Sequence, residues 1–462
     1  MKYISTRGLA PVLDFEGAML SGLARDGGLY VPEKFPKFTK AELKALRGHP
    51  YSELAYAVCS KFTAGSIPAK DLKAMIAAAY DTFDHKAVAP LKQLGSNDFL
   101  LELFHGPTIA FKDVAMQLLA RMMDWSLAKH KRRAVIVGAT SGDTGGAAVA
   151  AFEHSKNASL FILHPHGLVS DVQRRQMTTV QSASIHNIAL QGNFDDCQAI
   201  VKALFNDLDF RDGVGLAGVN SINWGRIMAQ IVYYFYAGLA LGAPDRAISF
   251  TVPSANFGNM FAGLVAKRMG LPVDKFIIAT NSNDILDRTI KTGKYSVTGV
   301  HPTSSPSMDI QVSSNFERLV YLANDRNPAL VRTAMDSLSK KNGYSLKSTA
   351  IKAIRSEFSS GAASEAEVAA TIAKTLAETS ELIDTHTAVG LHVARQHKSK
   401  SPMITLATAH PAKFPDAVEA ASGIRPHLPH RLSHLMNAPE SFTILPNSAS
   451  DVKAFILSGT RR

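Results

Sequence analysis

Ala134-Val-Ile-Val-Gly-Ala-Thr-Ser-Gly-Asp-Thr-Gly-Gly-Ala-Ala-Val-Ala-Ala-Phe152 decides the fold. Its first four residues form a short apolar run with no polar alternation, as expected of a parallel strand buried on both faces. Gly138 to Gly146 is a turn-rich loop, and the alanine-rich stretch from Ala147 to Phe152 has the character of a helix. A strand, a glycine-containing loop and a helix in succession define one unit of an open α/β sheet.

The same unit recurs on the C-terminal side. Leu160 to Leu163 and Ile185 to Leu190 are further strands. Ser170 is placed to cap a helix through Gln173 and Met177, and Asp195 heads another through Ile200 and Leu204. A long apolar helix is expected over Ile222 to Leu241. It is followed by a strand over Ile248 to Val252, a helix over Met260 to Met269, a strand over Phe276 to Ala279 and a last strand over Met403 to Ala407. On the N-terminal side Phe99 to Phe104 is a strand, Ala69 to Thr82 a helix, and Thr39 the cap of a helix through Leu46. The expected organisation is α/β with two open parallel-sheet halves. Residues 1–90 form a mixed helical segment, 91–245 one α/β domain, and 246–462 a second with a helical insertion near 284–400. Crossovers between such parallel strands are right-handed.

Ligands bind outside the carboxyl ends of the strands in sheets of this kind. Two loops lie there: Thr140 to Gly146, and Pro253-Ser-Ala-Asn-Phe-Gly-Asn259. Backbone N–H groups at the start of a helix suit a phosphate or carboxylate. Neither loop has the Walker or the dinucleotide glycine pattern, and taken singly each reads equally as a plain turn. Asn220-Ser-Ile-Asn-Trp-Gly-Arg226 sets amides, a hydroxyl and an arginine at the head of the long helix. That is anion-binding chemistry or simply a capped helix. Thr408-Ala-His410 follows a strand end, where the threonine hydroxyl can meet a ring nitrogen or satisfy backbone. His105-Gly-Pro-Thr-Ile-Ala-Phe-Lys-Asp113 brings Lys112 out of a turn-rich, nearly uncharged run into a helix bearing Val114, Leu118, Leu119 and Met122 on one face. A lysine so placed suits a desolvated pocket, where its amine can form a reversible imine with an aldehyde cofactor and then act as a base.

In their joint order these motifs resemble the threonine synthase family, of the longer bacterial and fungal kind. The likeness runs from Ser5-Thr-Arg7 and Asp26-Gly-Gly28 to His410-Pro-Ala-Lys-Phe414. It takes in Gln176–Val180, Ser305–Ile310, Asn315–Arg318 and Asp384–Gly390. The resemblance implies a fold-type-II pyridoxal-phosphate enzyme, tryptophan synthase β-like. The implied reaction converts O-phospho-L-homoserine and water to L-threonine and phosphate by γ-elimination and β-addition of water. By the same resemblance Lys112 carries pyridoxal 5'-phosphate as a Schiff base. Ser254, Asn256, Phe257, Gly258 and Asn259 hold the cofactor phosphate, and Thr408 faces the pyridine nitrogen. Ser141, Gly142 and Thr144 grip the substrate carboxylate, and Asn220, Ser221 and Arg226 bind the substrate phosphate. Asp143 stands where the fold type commonly has asparagine, beside the cofactor's 3′-oxygen. Ala255 stands where glycine is expected, so a positive φ there would strain the loop. Other enzymes of this fold, such as a serine/threonine dehydratase or a β-replacement synthase, need no site for a substrate phosphate. A non-catalytic binding protein of this fold would not need Lys112.

The composition agrees with a large globular core: 462 residues, 46% hydrophobic and 19% charged. The net charge of +11 is spread along the chain, with short basic runs only at Lys129–Arg133 and Arg461–Arg462. No basic–aromatic ladder or nucleic-acid module accompanies it, so an anionic small molecule is the expected partner. No stretch has the apolar length of a membrane span. The N-terminus lacks a signal-peptide core, so the expected location is cytoplasmic. The oligomeric expectation is a monomer or weak homo-oligomer. Two cysteines and no zinc-spaced histidines give no metal site.

Overall fold

The computed structural model describes residues 1–140 and 142–460. Ser141, an expected substrate ligand, and the Arg461–Arg462 pair lie outside the described residues. Two parallel sheets organise the chain. One has the strand order Thr443–Pro446, Ile185–Gln191, Ala158–Pro165, Ala134–Ala139, Leu216–Ala217, all parallel. The other runs Phe358–Ala362, Val273–Thr280, Ile248–Pro253, Met403–Ala407, Asp98–Glu102, all parallel, and ends in the antiparallel edge strand Leu91–Gln93. Helices cover both faces of each sheet, which is why the central strands carry apolar residues on both sides.

The two sheets share one core. Ile136, Leu160 and Ile162 from the first and Phe250, Val252, Phe276 and Ile404 from the second belong to a single buried cluster. The helix Trp224–Ala240 and the N-terminal residues Tyr3, Phe15, Tyr51 and Phe62 join it. Separate clusters close the outer faces. Val135, Phe161 and Leu190 pack against Val452 and Ile456 on one side, and Ile277 and Met403 pack against Val389 and Ile372 on the other.

Two expected helix starts are realised by their caps, whereas the helix expected from Asp195 begins at Phe194 and is capped by Asn193. Thr39 and Glu42 form a reciprocal capping box, and the Ser170 hydroxyl accepts from Gln173 N. The expected domain limits are cut across by the sheets. The strands at 91–93 and 98–102 lie in the sheet of the second half, because Asp98–Glu102 pairs in parallel with Met403–Ala407. The C-terminal strand Thr443–Pro446 returns to the first sheet beside Ile185–Gln191, and the helix Ala449–Thr460 packs on that sheet's outer face. The expected helical insertion also contains an edge strand, Phe358–Ala362, in register with Phe276–Thr280.

Candidate active site

Lys112 is the first residue of the helix Lys112–Lys129. The turn before it is built tightly. The Asp113 carboxylate accepts from Thr108 N at 2.8 Å and from Thr108 Oγ1 at 2.7 Å. Gly106 lies so close to Asp113 that a Cβ there would be 2.4 Å from the aspartate Cβ. Ile109, a β-branched residue, sits at φ +52°, a conformation costing on the order of 1–3 kcal/mol that surrounding structure must hold in place. Burial raises the affinity of the Asp113 carboxyl for its proton, against the Thr108 hydrogen bonds. Phe111 N donates to Thr408 O at 2.8 Å, so the Lys112 turn and the end of the Met403–Ala407 strand are stitched together.

Lys112 Nζ lies 3.1 Å from Asp143 Oδ2 and 3.3 Å from Ser307 Oγ, and its side chain is 12% exposed. Asp143 opens the helix Asp143–Phe152 at the end of the Ala134–Ala139 strand. Its carboxylate is surrounded by donors. Gln173 Nε2 is 2.9 Å from Oδ1, Ser307 Oγ donates to Oδ2 at 2.9 Å, and Lys413 Nζ is 3.0 Å from Oδ1. Although burial alone would raise it, the neighbouring Lys112 and Lys413, then His386 and the Gln173 amide, hold the Asp143 carboxyl well below the usual carboxylate range. Burial depresses the Lys112 amine. Asp143 opposes that depression, while Lys413 and Arg226 add to it. Behind Ser307, its backbone N–H donates to His386 Nε2, and His386 Nδ1 is 2.8 Å from the buried Asp384. That pairing puts the imidazole proton on Nδ1.

The strand-end loop at 253–259 has the character of an anion cradle. Phe257 adopts φ +62° and precedes the helix Gly258–Arg268. Ala255 is not among the residues at positive φ, so the strain expected there is absent and the left-handed position is Phe257. Tyr233 OH and Tyr234 OH both donate to Asn259 Oδ1. This fixes the amide with Nδ2 turned the other way, and Nδ2 is buried with no protein partner; the same is true of Ser254 Oγ. Two buried, unsatisfied polar groups flanking a helix N-terminus fit a phosphate, since such groups are rarely left unpaired without a ligand.

The loop at 220–226 joins that cradle through Asn315, whose N–H donates to Asn256 O and whose Nδ2 donates to Ser221 O at 3.2 Å. A Cβ on Gly258 would lie 3.5 Å from Ser221 O. Arg318, fully buried, ties the same loop down by donating to Ile222 O at 2.7 Å and to Tyr30 O at 2.9 Å. Arg226 is buried on the helix Trp224–Ala240. Its Nη1 donates to Val219 O at 3.0 Å, and its Nε has no partner. Among the described residues no carboxylate pairs with it. Burial lowers this guanidinium to about 10.

The remaining expected ligands are less uniform. Asn220 is exposed and Thr144 half-buried. The N–H groups of Gly142 and Gly145 are both taken by Thr140 Oγ1 at 2.9 Å, so those two donors serve the loop itself. Thr408 is buried. The residues that sequence reasoning did not assign are Lys413, Gln173, Ser307, His386 and Asn315. All but Gln173 lie in motifs shared with the family, yet nothing local in the sequence shows that they converge on Asp143 or on the 256–258 loop. A separate cavity of about 580 Å³, lined by Arg7, Leu29, Ile222, Glu317 and Tyr344 among others, does not include Lys112. The chemistry therefore lies outside it.

A lysine set between two strand-end loops, beside a buried carboxylate and a cradle of buried polar groups that fits a phosphate, defines a pyridoxal-phosphate-dependent enzyme of the α/β kind. The family model "Pyridoxal-phosphate dependent enzyme" matches residues 86–408. Models for the threonine synthase N terminus and C-terminal region match 2–80 and 387–456. The chain is 52% identical over 459 residues to a threonine synthase from Pseudomonas aeruginosa, covering 99% of this chain and 98% of that one. Among solved structures, the PLP-bound threonine synthase from Brucella melitensis superposes with a TM-score of 0.98 at 57% identity over the whole of both chains. The yeast threonine synthase superposes with 0.93 at 37% identity, over 100% of this chain and 99% of that one. The chain belongs to the threonine synthase family.

Proposed function

We propose that this protein converts O-phospho-L-homoserine and water to L-threonine and phosphate, with pyridoxal 5'-phosphate held covalently at Lys112. The observation that carries the reading is Arg226. A buried guanidinium without a carboxylate partner, at a helix N-terminus, and close enough for its charge to act on Lys112, is built for an anion on the substrate. A dehydratase or β-replacement enzyme of this fold has no use for it.

Ser254, Asn256, Phe257, Gly258 and Asn259 would hold the cofactor phosphate, and Thr408 would face the ring nitrogen as a neutral hydroxyl. When bound, the cofactor supplies an electron sink for the substrate's α-carbon. Lys112 Nζ, freed by the incoming amine, takes up and returns protons at the substrate carbons. Its buried, poorly solvated position favours the neutral amine that this requires. Arg226, with Asn220 and Ser221, takes the charge that grows on the departing phosphate. Thr144, with Ser141, would receive the substrate carboxylate, while Gly142, whose N–H is held by Thr140 Oγ1, shapes the loop.

Among the described residues no helix is long and apolar enough to cross a membrane. The basic balance of the chain suits an anionic substrate, and the reading extends to a cytoplasmic enzyme that acts as a monomer or weak homo-oligomer. Purified protein loaded with cofactor and given phosphohomoserine releases phosphate and threonine in equal amounts. Phosphate released without threonine would identify a phospho-lyase instead.

A further inference from the structure

We propose that Lys413 is a positioning residue: a fully buried ammonium, held by three acceptors, that occupies the Asp143 carboxylate, so that Lys112 stands beside it as a free amine. The inference rests on reading Lys112 as the attachment point. The geometry treats the two lysines differently. Lys413 is 0% exposed, and its Nζ meets three acceptors: Gln176 Oε1 at 2.8 Å, Thr108 O at 2.9 Å and Asp143 Oδ1 at 3.0 Å. An ammonium has three protons, and each has a place. Gln176 Nε2 donates to the same Thr108 O at 3.1 Å, which fixes the amide with its oxygen toward Lys413. Among the described residues Lys112 Nζ has two oxygen partners, Asp143 Oδ2 and Ser307 Oγ, and the Phe111 ring centroid lies 5.6 Å away.

The charge balance follows. Asp143 and Lys413 form a neutral pair, so a protonated Lys112 would add an uncompensated charge to a buried site. Among the described residues no other nearby carboxylate is free to take it. Asp113, on the same helix, is turned to Thr108 N and Oγ1. Asp384, on the 384–395 segment, accepts from the N–H groups of His386 and Thr387 and lies against His386 Nδ1. Arg226, on the Trp224–Ala240 helix, is a further cation acting on Lys112, and His386 is a further group acting on Asp143. The depressed proton affinity of Lys112, caused first by burial and augmented by Lys413 and Arg226, agrees with this arrangement. Only the neutral amine bonds to an aldehyde carbon or accepts a proton. Aspartate in place of the asparagine common to the fold is thereby explained: its charge belongs to Lys413.

The test uses the full-length chain freed of cofactor. Reductive methylation with formaldehyde and an amine–borane is followed from pH 6 to 10. Labelling at Lys112 is read by peptide mass spectrometry against exposed Lys340 as reference. Lys413→Met raises the pH midpoint for Lys112, so that at pH 8 it labels on the order of tenfold more slowly relative to Lys340. Lys413→Arg keeps the wild-type midpoint. A folded Lys413→Met variant with an unchanged or lowered midpoint overturns the proposal. If that variant does not fold, Lys413→Gln, which keeps a hydrogen-bond donor for Asp143 without the charge, takes its place. The midpoint rises there too, and an unchanged one overturns the proposal. Failure of the underlying reading is seen separately, as cofactor fixed by borohydride to a lysine other than Lys112 in the wild-type chain.

Discussion

Replacing Arg226 with methionine should make the substrate-free protein more stable while removing its affinity for the substrate's anion. Burial brings the Arg226 guanidinium down to about 10, with no carboxylate to relieve it. At ~1.4 kcal/mol for each pKa unit, this corresponds to about 3 kcal/mol of uncompensated desolvation. The variant loses the hydrogen bond to Val219 O, worth about 1 kcal/mol, and methionine fills similar space. The expected net gain is about 2 kcal/mol, seen as a higher midpoint in urea unfolding. Inorganic phosphate supplies the second arm, added to cofactor-loaded protein so that the cradle at 254–259 is already filled. A ligand at one hundred times its Kd stabilises by about 2.7 kcal/mol. Wild type should show a rise of this order and Arg226→Met none. A lower midpoint in the variant would make Arg226 a structural strut. Equal stabilisation of both proteins by phosphate would place the anion elsewhere.

Two further predictions concern the supports of Asp143. In Gly142→Ala the new Cβ falls 2.4 Å from Gln173 Cδ, at a backbone φ of +140°. The strain costs about 1–3 kcal/mol and displaces the amide from Asp143 Oδ1, so the unfolding midpoint and turnover should both fall; wild-type values for both would show that the loop relaxes freely. Glu440 accepts from Arg174 Nε at 2.8 Å and from Thr178 Oγ1 at 2.7 Å, tethering the C-terminal segment to the helix that carries Gln173 and Gln176. The Arg174 hydrogen bonds hold its folded pKa at about 2, below an unfolded value of about 4.3. The tether's contribution is therefore complete above about pH 5 and is lost as pH falls through that interval toward 2. Limited proteolysis around residues 433–446 should increase over this range in wild type. In Glu440→Gln it should be high throughout, and a wild-type pH profile in that variant would exclude the tether.

The strands at 134–139, 158–165, 185–191, 248–253 and 403–407 were legible as short apolar runs, because both of their faces are covered. Phe358–Ala362 was not. Its sequence, Phe-Ser-Ser-Gly-Ala, has neither alternation nor an apolar run, and it is a strand only because Val273–Thr280 offers an open edge. Sheet membership was also hidden, since nothing local tells Asp98–Glu102 to pair with residues three hundred positions later. Lys112 and the 254–259 loop stood out because turn chemistry and order along the chain mark strand ends, and Asp143 was singled out by the family resemblance. Lys413 was not, because a buried lysine has the same letter as a solvated one, and its acceptors at Thr108, Asp143 and Gln176 come from distant parts of the chain. The strain expected at Ala255 belongs to Phe257, since the residue names do not reveal which position of the turn crosses to positive φ.

On the proposed function Lys112, and not its buried neighbour Lys413, carries the cofactor. Borohydride reduction of the cofactor-loaded protein, digestion, and mass spectrometry of the lysine peptides test it directly. The expected result is a single pyridoxyl-phosphate adduct on Lys112, absent from Lys112→Ala. An adduct on Lys413, or one that survives in Lys112→Ala, would contradict the assignment.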